Sequence, residues 1–141
     1  MLHKIFNWFV SKEHSRGENM FEENTLIGKI AKGEFPRKIV NTDYGEFVVQ
    51  FPSGMDSRVI GRKAASFCNG MPLNSFDMSN IMSFEIDATL SVVIKEFPAD
   101  FPKDWKEDGI VNFPNQEVKN FLFKEFNTFY SETQKGLSKE S

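Results

Sequence analysis

The 141-residue chain reads as a mainly helical α+β domain, with an N-terminal β-hairpin packed on about three helices. Three observations carry this reading. "RKIVNTDYGEFVVQF" sets apolar strands on either side of a run of turn-forming residues. "DMSNIMSFEIDATLSVVIKEFP" keeps apolar residues at helical spacing along its length, and "NQEVKNFLFKEFNTFYSE" does so again with an excess of aromatic rings. Alternation with period 2 argues strand, and recurrence at i, i+3, i+4 argues amphipathic helix.

Taken in order, "MLHKIFNWFVSKEH" places Leu2, Ile5, Phe6 and Phe9 on one helical face. It lacks the long apolar core and small-residue cleavage site of a secretory signal. A helix docked on its own domain, or a loose chain end, is preferred to a membrane-surface or partner-binding helix, because chain ends stay loose unless tied down. "SRGENM" is compatible with purine-rich codons directly ahead of Met20, so Met20 is a candidate initiator and residues 1–19 a candidate upstream extension. The expected plan is that extension, one globular domain over residues 20–132, and a flexible polar tail over 133–141.

Leu26, Ile27 and Ile30 suit a short helical turn. In the hairpin, Ile39 and Val40 precede "NTDYG", and Phe47, Val48, Val49 and Phe51 follow it; Asn, Asp and Gly tolerate left-handed turn positions. Pro52 ends the second strand, and Ser53 with Asp56 approximates a capping box. The helix that follows should bury Ile60, Ala64 and Phe67 and end at Gly70, with Arg58 and Arg62 on its opposite face. Gly61 inside it costs about 1 kcal/mol relative to Ala, which points to a close backbone approach there.

"MPLNSFD" is a loop, and Asp77 caps a helix expected over 78–96 and stopped by Pro98. Met82, Ile86, Leu90, Val93 and Phe97 form its inward stripe, widened by Ile81, Phe84, Ala88 and Val92. The β-branched "TLSVVI" leaves a strand as the alternative there. A Pro-punctuated loop follows, pinned by Phe101, Trp105, Ile110 and Phe113. Asn115 caps a last helix over 116–132, with Val118, Leu122, Phe126 and Phe129 inward and Phe121, Phe123 and Tyr130 widening the arc.

Composition narrows the function. Hydrophobic residues make up 40% and charged residues 26%, a globular balance. A net charge of −3 argues against nucleic acid as the main partner, and no apolar run reaches the ~20 residues of a membrane span. Cys68, the single cysteine, rules out an internal disulfide and suits a reducing compartment. Both histidines, His3 and His14, lie in the N-terminal stretch, so no ligand set for a metal assembles. Cys68 reads as a small core residue rather than a nucleophile. Glu85 and Asp87 are two apart on a helix and do not face each other. Asp100, Asp104, Glu107 and Asp108 match no calcium-loop spacing and read as a solvated acidic loop. "PSGMDSR" lacks a phosphate-binding loop's Gly-Lys-Ser/Thr. No catalytic residue, cofactor or metal is therefore expected. The 16 Phe against 2 Tyr and 2 Trp favour packing and sticky surfaces over hydrogen-bonded recognition.

Two surfaces remain as candidates for binding protein. Arg58, Arg62 and Lys63 make a basic helix face, whose simpler reading is a solvated face paired with Glu22, Glu23 or the acidic loop. The last helix carries apolar residues over more than one face, with Phe121, Phe123 and Tyr130 left for a partner or a second buried side.

The run "GEFVVQFPSGMDSRVIGRKAASFCNGMPLNSFD", then "ATLSVVIKEFP" with "DW" after it, then "FNTFYSE", is similar to the small tail assembly chaperones of long-tailed bacteriophages. The resemblance covers residues 37–132 and departs from the usual pattern in the long N-terminal segment. It implies a non-enzymatic protein of the host cytoplasm, possible as a homo-oligomer. Such a protein keeps the long, helical, apolar tape measure protein soluble and leaves as tube subunits assemble around it. On that reading Phe51, Pro52 and Ser53 set the angle between sheet and helices, and Arg58 and Arg62 form a rim aiding register or self-association. The rival reading is a small phage-encoded protein that binds and inhibits a host defence factor.

Overall fold

The computed structural model describes residues 25–107 and 110–140. The expected N-terminal helix, the Met20 start, Glu22, Glu23 and Asp108 lie outside the described residues. Among the described residues five α-helices and a three-stranded antiparallel sheet make up an α+β architecture dominated by helix.

The chain enters through α1 (Leu26–Ala31), capped by the Thr25 hydroxyl, which accepts from Gly28 N at 2.9 Å. Strands β1 (Arg37–Thr42) and β2 (Gly45–Gln50) form the hairpin, in register from Arg37↔Gln50 to Thr42↔Gly45. The turn is tighter than "NTDYG" implied, with only Asp43 and Tyr44 between the strands. Gly45 takes the positive φ of 118°, and a Cβ there would meet Pro98 Cβ at 2.8 Å. Thr42 Oγ1 braces the turn by accepting from Tyr44 N and donating to Gly45 O.

Ser53 and Asp56 form a full capping box at the start of α2 (Gly54–Ser66), each side chain accepting from the other's backbone amide at 3.0 Å. This satisfies two amides that the helix itself cannot. The helix stops four residues before Gly70. Asn69 and Gly70 adopt left-handed φ values of 55° and 80° and turn the chain instead. It lies on α3 (Met78–Val93) through Phe67, whose ring is 6.0 Å from that of Phe84. The expected close approach at Gly61 is overturned: Gly61 is exposed, and a Cβ added there meets nothing within 4 Å.

The helix expected over 78–96 ends at Val93, and residues Ile94–Glu96 become β3, antiparallel to β2. The open edge of β2 captures the β-branched segment, with Ile94 opposite Val49 and Val93 and Ile94 both buried. Tertiary pairing thereby overrides a helical period that continues on paper. A short α4 (Lys103–Lys106) interrupts the loop before α5 (Gln116–Glu140), whose first turn is capped by Asn115 Oδ1 accepting from Val118 N at 3.2 Å.

The flexible tail expected over 133–141 is corrected as well, because α5 continues unbroken to Glu140. Leu137, 2% exposed, packs with Ile27 and Phe51 in a second small core. Glu140 closes the arrangement: its two carboxylate oxygens accept from Leu26 N at 2.9 Å and Ile27 N at 2.8 Å. A carboxylate at the start of α1 satisfies orphan amides and opposes the positive end of the helix dipole.

The main core gathers Val40, Phe47 and Val49 from the sheet, Ile86, Leu90 and Val93 from α3, and Leu122 and Phe126 from α5, with Phe101, Ile110 and Phe113 from the loop. Lys119, on the side of α5 that meets α3, is nearly sealed from solvent. Its Nζ donates to Asp87 Oδ1 at 2.9 Å and to Val111 O at 3.1 Å. A buried pair of this kind adds little net stability, but removing one partner strands the other's charge in the interior.

Candidate partner-binding surface

The first turns of α3 differ from its later ones. From Ile86 onward its inner face is buried, but Met82, expected in the core stripe, is 49% exposed, and Met78 one turn earlier is 69% exposed. The cause is local. Ser79, Asn80 and Ser83 surround these methionines, so the first half of α3 lacks the branched apolar bulk that would draw it onto α5.

Between that half of α3 and the facing half of α5 runs an open groove of about 730 Å³. Met82, Ile86 and Phe123 supply its apolar lining. Its remaining walls are Ser79, Asn80, Ser83, Gln116, Asn120, Asn127 and Thr128, with Lys124 the one charged residue among those lining it. Neutral amides and hydroxyls around an apolar floor can pair with varied polar groups without demanding a fixed charge pattern.

Asp77 stands at the head of α3, where its side chain accepts from Asn80 N at 2.9 Å and from the Ser79 hydroxyl at 3.0 Å. Those hydrogen bonds, the amide of Asn80 first, hold its carboxyl below its ordinary value.

The five residues singled out from sequence do not converge. Arg58 and Arg62 are exposed and, with Met55, Gly61 and Ala65, line a separate depression on the outer side of α2. Neither makes an ion pair among the described residues. Phe123 packs on the main core and also lines the groove, continuing into a smaller cleft with Tyr130, Ile60 and Pro52. Tyr130 is largely structural: its ring stacks on Phe51 at 5.0 Å and 12°, and its hydroxyl accepts from Gln134. Phe121, 43% exposed, sits elsewhere on α5, one turn from Glu125, which pairs with Lys38 of β1 at 3.4 Å.

The sequence reading named no methionine as a binding residue and placed Met82 in the core stripe. Met55, Met71, Met78 and Met82, all the methionines among the described residues, are between 49% and 69% exposed, and Leu73 beside them is 58% exposed. A signal was present in "GMPLNSFDMSNIMS", where Gly, Pro, Ser, Asn and Asp make up most of the residues around the three methionines. Phenylalanine behaves oppositely: of those among the described residues, Phe121 alone is exposed.

Among the described residues no group of three His, Cys, Asp or Glu side chains stands together as a metal site, and no helix is long and apolar enough to cross a membrane. Cys68 is buried, with Sγ 3.9 Å from Ala64 O. Fold and surface together define a small α+β protein that carries an apolar, methionine-edged groove between two helices. No family model, curated protein or solved structure matches the chain.

Proposed function

We propose that this protein is a non-enzymatic tail assembly chaperone of a long-tailed bacteriophage. In this reading it acts in the host cytoplasm and keeps a tape measure-like helical chain soluble until the tail tube encloses it. The observation that carries the proposal is the α3–α5 groove, apolar at its floor and edged by Met82, with Met78 one turn beyond. An extended helical client offers many similar apolar faces and no single preferred sequence. Methionine suits such a client because its unbranched, polarizable side chain adapts to differently shaped partners. A helix laid in a groove and read through anchors at i, i+3, i+4 and i+7 is the corresponding mode of recognition. The resemblance over residues 37–132 supplies the biological setting.

Co-expression with a long helical tape measure protein of a long-tailed bacteriophage, ideally from the same genome, followed by size-exclusion chromatography with light scattering, tests this. The client should become soluble and co-elute with several copies of this protein, and Met78→Asp with Met82→Asp should abolish that effect. A client that remains insoluble while this protein elutes alone would overturn the proposal. A stoichiometric complex with one host protein, recovered from lysate, would then favour an inhibitor of a host factor.

A further inference from the structure

We infer that the outer edge of β1 pairs with a second copy of this chain, antiparallel about a two-fold axis at Ile39. The inference is independent of the reading of the groove. Phe51 N donates to Pro36 O at 2.9 Å, and the register continues through Lys38↔Val49, Val40↔Phe47 and Thr42↔Gly45. In an antiparallel ladder, residues that exchange hydrogen bonds with one neighbour alternate with residues whose N–H and C=O point the other way. Arg37, Ile39 and Asn41 therefore turn their backbone groups away from β2. Since β1 ends the strand order, no strand among the described residues receives them.

Open edges are normally guarded by proline, a bulge or an exposed charge. β1 contains no proline, and its register with β2 has no bulge. Both of its cations are drawn back from the edge. Arg37 reaches across the sheet to Gln50 at 2.9 Å and Glu96 at 3.3 Å, and Lys38 turns onto Glu125 of α5. With both cations engaged inside the chain, the side chains left beside the open backbone, Ile39 and Asn41, are uncharged. Ile39, 57% exposed, flanks it on the outer face of the sheet. On the other face, Glu125 of α5 pairs with Lys38, and exposed Phe121 lies one helical turn from Glu125.

The strand's own sequence selects a second copy. With the axis at Ile39, each Ile39 faces the partner's Ile39, Arg37 faces the partner's Asn41, and Lys38 faces the partner's Val40. No like charges are opposed, whereas a parallel pairing would align the cations. The interface is isologous and closes after two copies, joining two three-stranded sheets into one.

Sedimentation velocity of the full chain over a concentration series tests this. The wild-type chain should dimerise reversibly. Ile39→Lys should stay monomeric at every concentration while its circular dichroism matches wild type and its Tm matches that of wild type diluted to the monomer, because Ile39 is exposed and only the dimer adds to the Tm. Ile39→Pro, which removes an amide pointing away from β2, should likewise lose the dimer. A wild-type chain that is monomeric throughout overturns the inference. So does a dimer that survives Ile39→Lys, or one that is lost with Met82→Asp instead.

Discussion

At the end of the sheet where the hairpin turns, Tyr44, Phe47, Phe97, Phe101, Trp105 and Phe113 close on one another, with ring centroids 5.0–6.3 Å apart and mostly edge-to-face. Around the start of α3, Met71, Leu73, Met78 and Met82 point into solvent. Both regions are rich in apolar side chains, yet one is cohesive and the other is open. The difference follows from chemistry. Rigid rings with a defined quadrupole gain from fixed mutual geometry, while a flexible thioether has little to gain from any one arrangement and can serve many. The phenylalanine excess therefore reports on the core, and methionine marks the surface.

The largest expected effect separates the two regions. Phe101, 5% exposed, touches four other rings, so Phe101→Ala should destabilise by about 3–5 kcal/mol. Met82→Ser should move stability by less than about 0.5 kcal/mol, as surface changes usually do. Urea unfolding of both variants gives the comparison, and similar losses would mean that the α3 methionines are structural after all. Phe123 is a poorer probe of binding than Met82, because its ring packs on the main core as well as lining the groove.

Next in size is the Lys119–Asp87 pair that locks α3 to α5 beside the groove. Lys119→Met leaves a largely buried carboxylate without its cation, a loss of about 3 kcal/mol by analogy with other broken buried pairs. Adding Asp87→Leu should restore most of that stability. If the double variant is no better than the single one, the pair's hydrogen bonds, the one to Val111 O included, matter more than the stranded charge.

How much of this was legible in the sequence varied with the range of the interactions involved. The hairpin, the Ser53–Asp56 box and the Asp77 and Asn115 caps depend on residues within a few positions of each other, and all were readable. The change from helix to strand at Ile94 was not, since it depends on an open edge of β2 more than forty residues earlier. Nor was the helical end of the chain. "TQKGLSKE" has weak local signals, and only Ile27, Phe51 and the α1 amides give Leu137 and Glu140 something to hold. For the candidate surface, charge and aromaticity drew attention to Arg58, Arg62, Phe121, Phe123 and Tyr130. The α3–α5 groove is defined instead by where apolar bulk is missing, a pattern that residue-by-residue inspection passes over.

A smaller effect sharpens the same contrast through two glycines. Gly61→Ala should stabilise α2 by up to about 1 kcal/mol, because the position is helical, exposed and open. Gly45→Ala should destabilise, since its φ of 118° and the 2.8 Å approach to Pro98 leave no place for a methyl group. Thermal melts of the pair should therefore shift in opposite directions, and a shift of the same sign would contradict the packing described at one of the two sites.

The smallest effect is a pH dependence at the head of α3. The Asp77 carboxyl is held below its ordinary value of 3.8 by the Asn80 amide and the Ser79 hydroxyl. A carboxyl whose folded value is depressed adds stability that is fully present above the unfolded value and is lost as pH falls through the folded one. Asp77→Ala should thus lower Tm at neutral pH, and the gap from wild type should narrow in acid, where the wild-type carboxylate is itself protonated. Asp77→Asn keeps an oxygen that accepts from Asn80 N, so it should retain most of the cap with less dependence on pH. If the alanine gap is the same at pH 7 and in acid, the cap acts through its hydrogen bonds alone and the ionised form contributes nothing to the exposed start of α3.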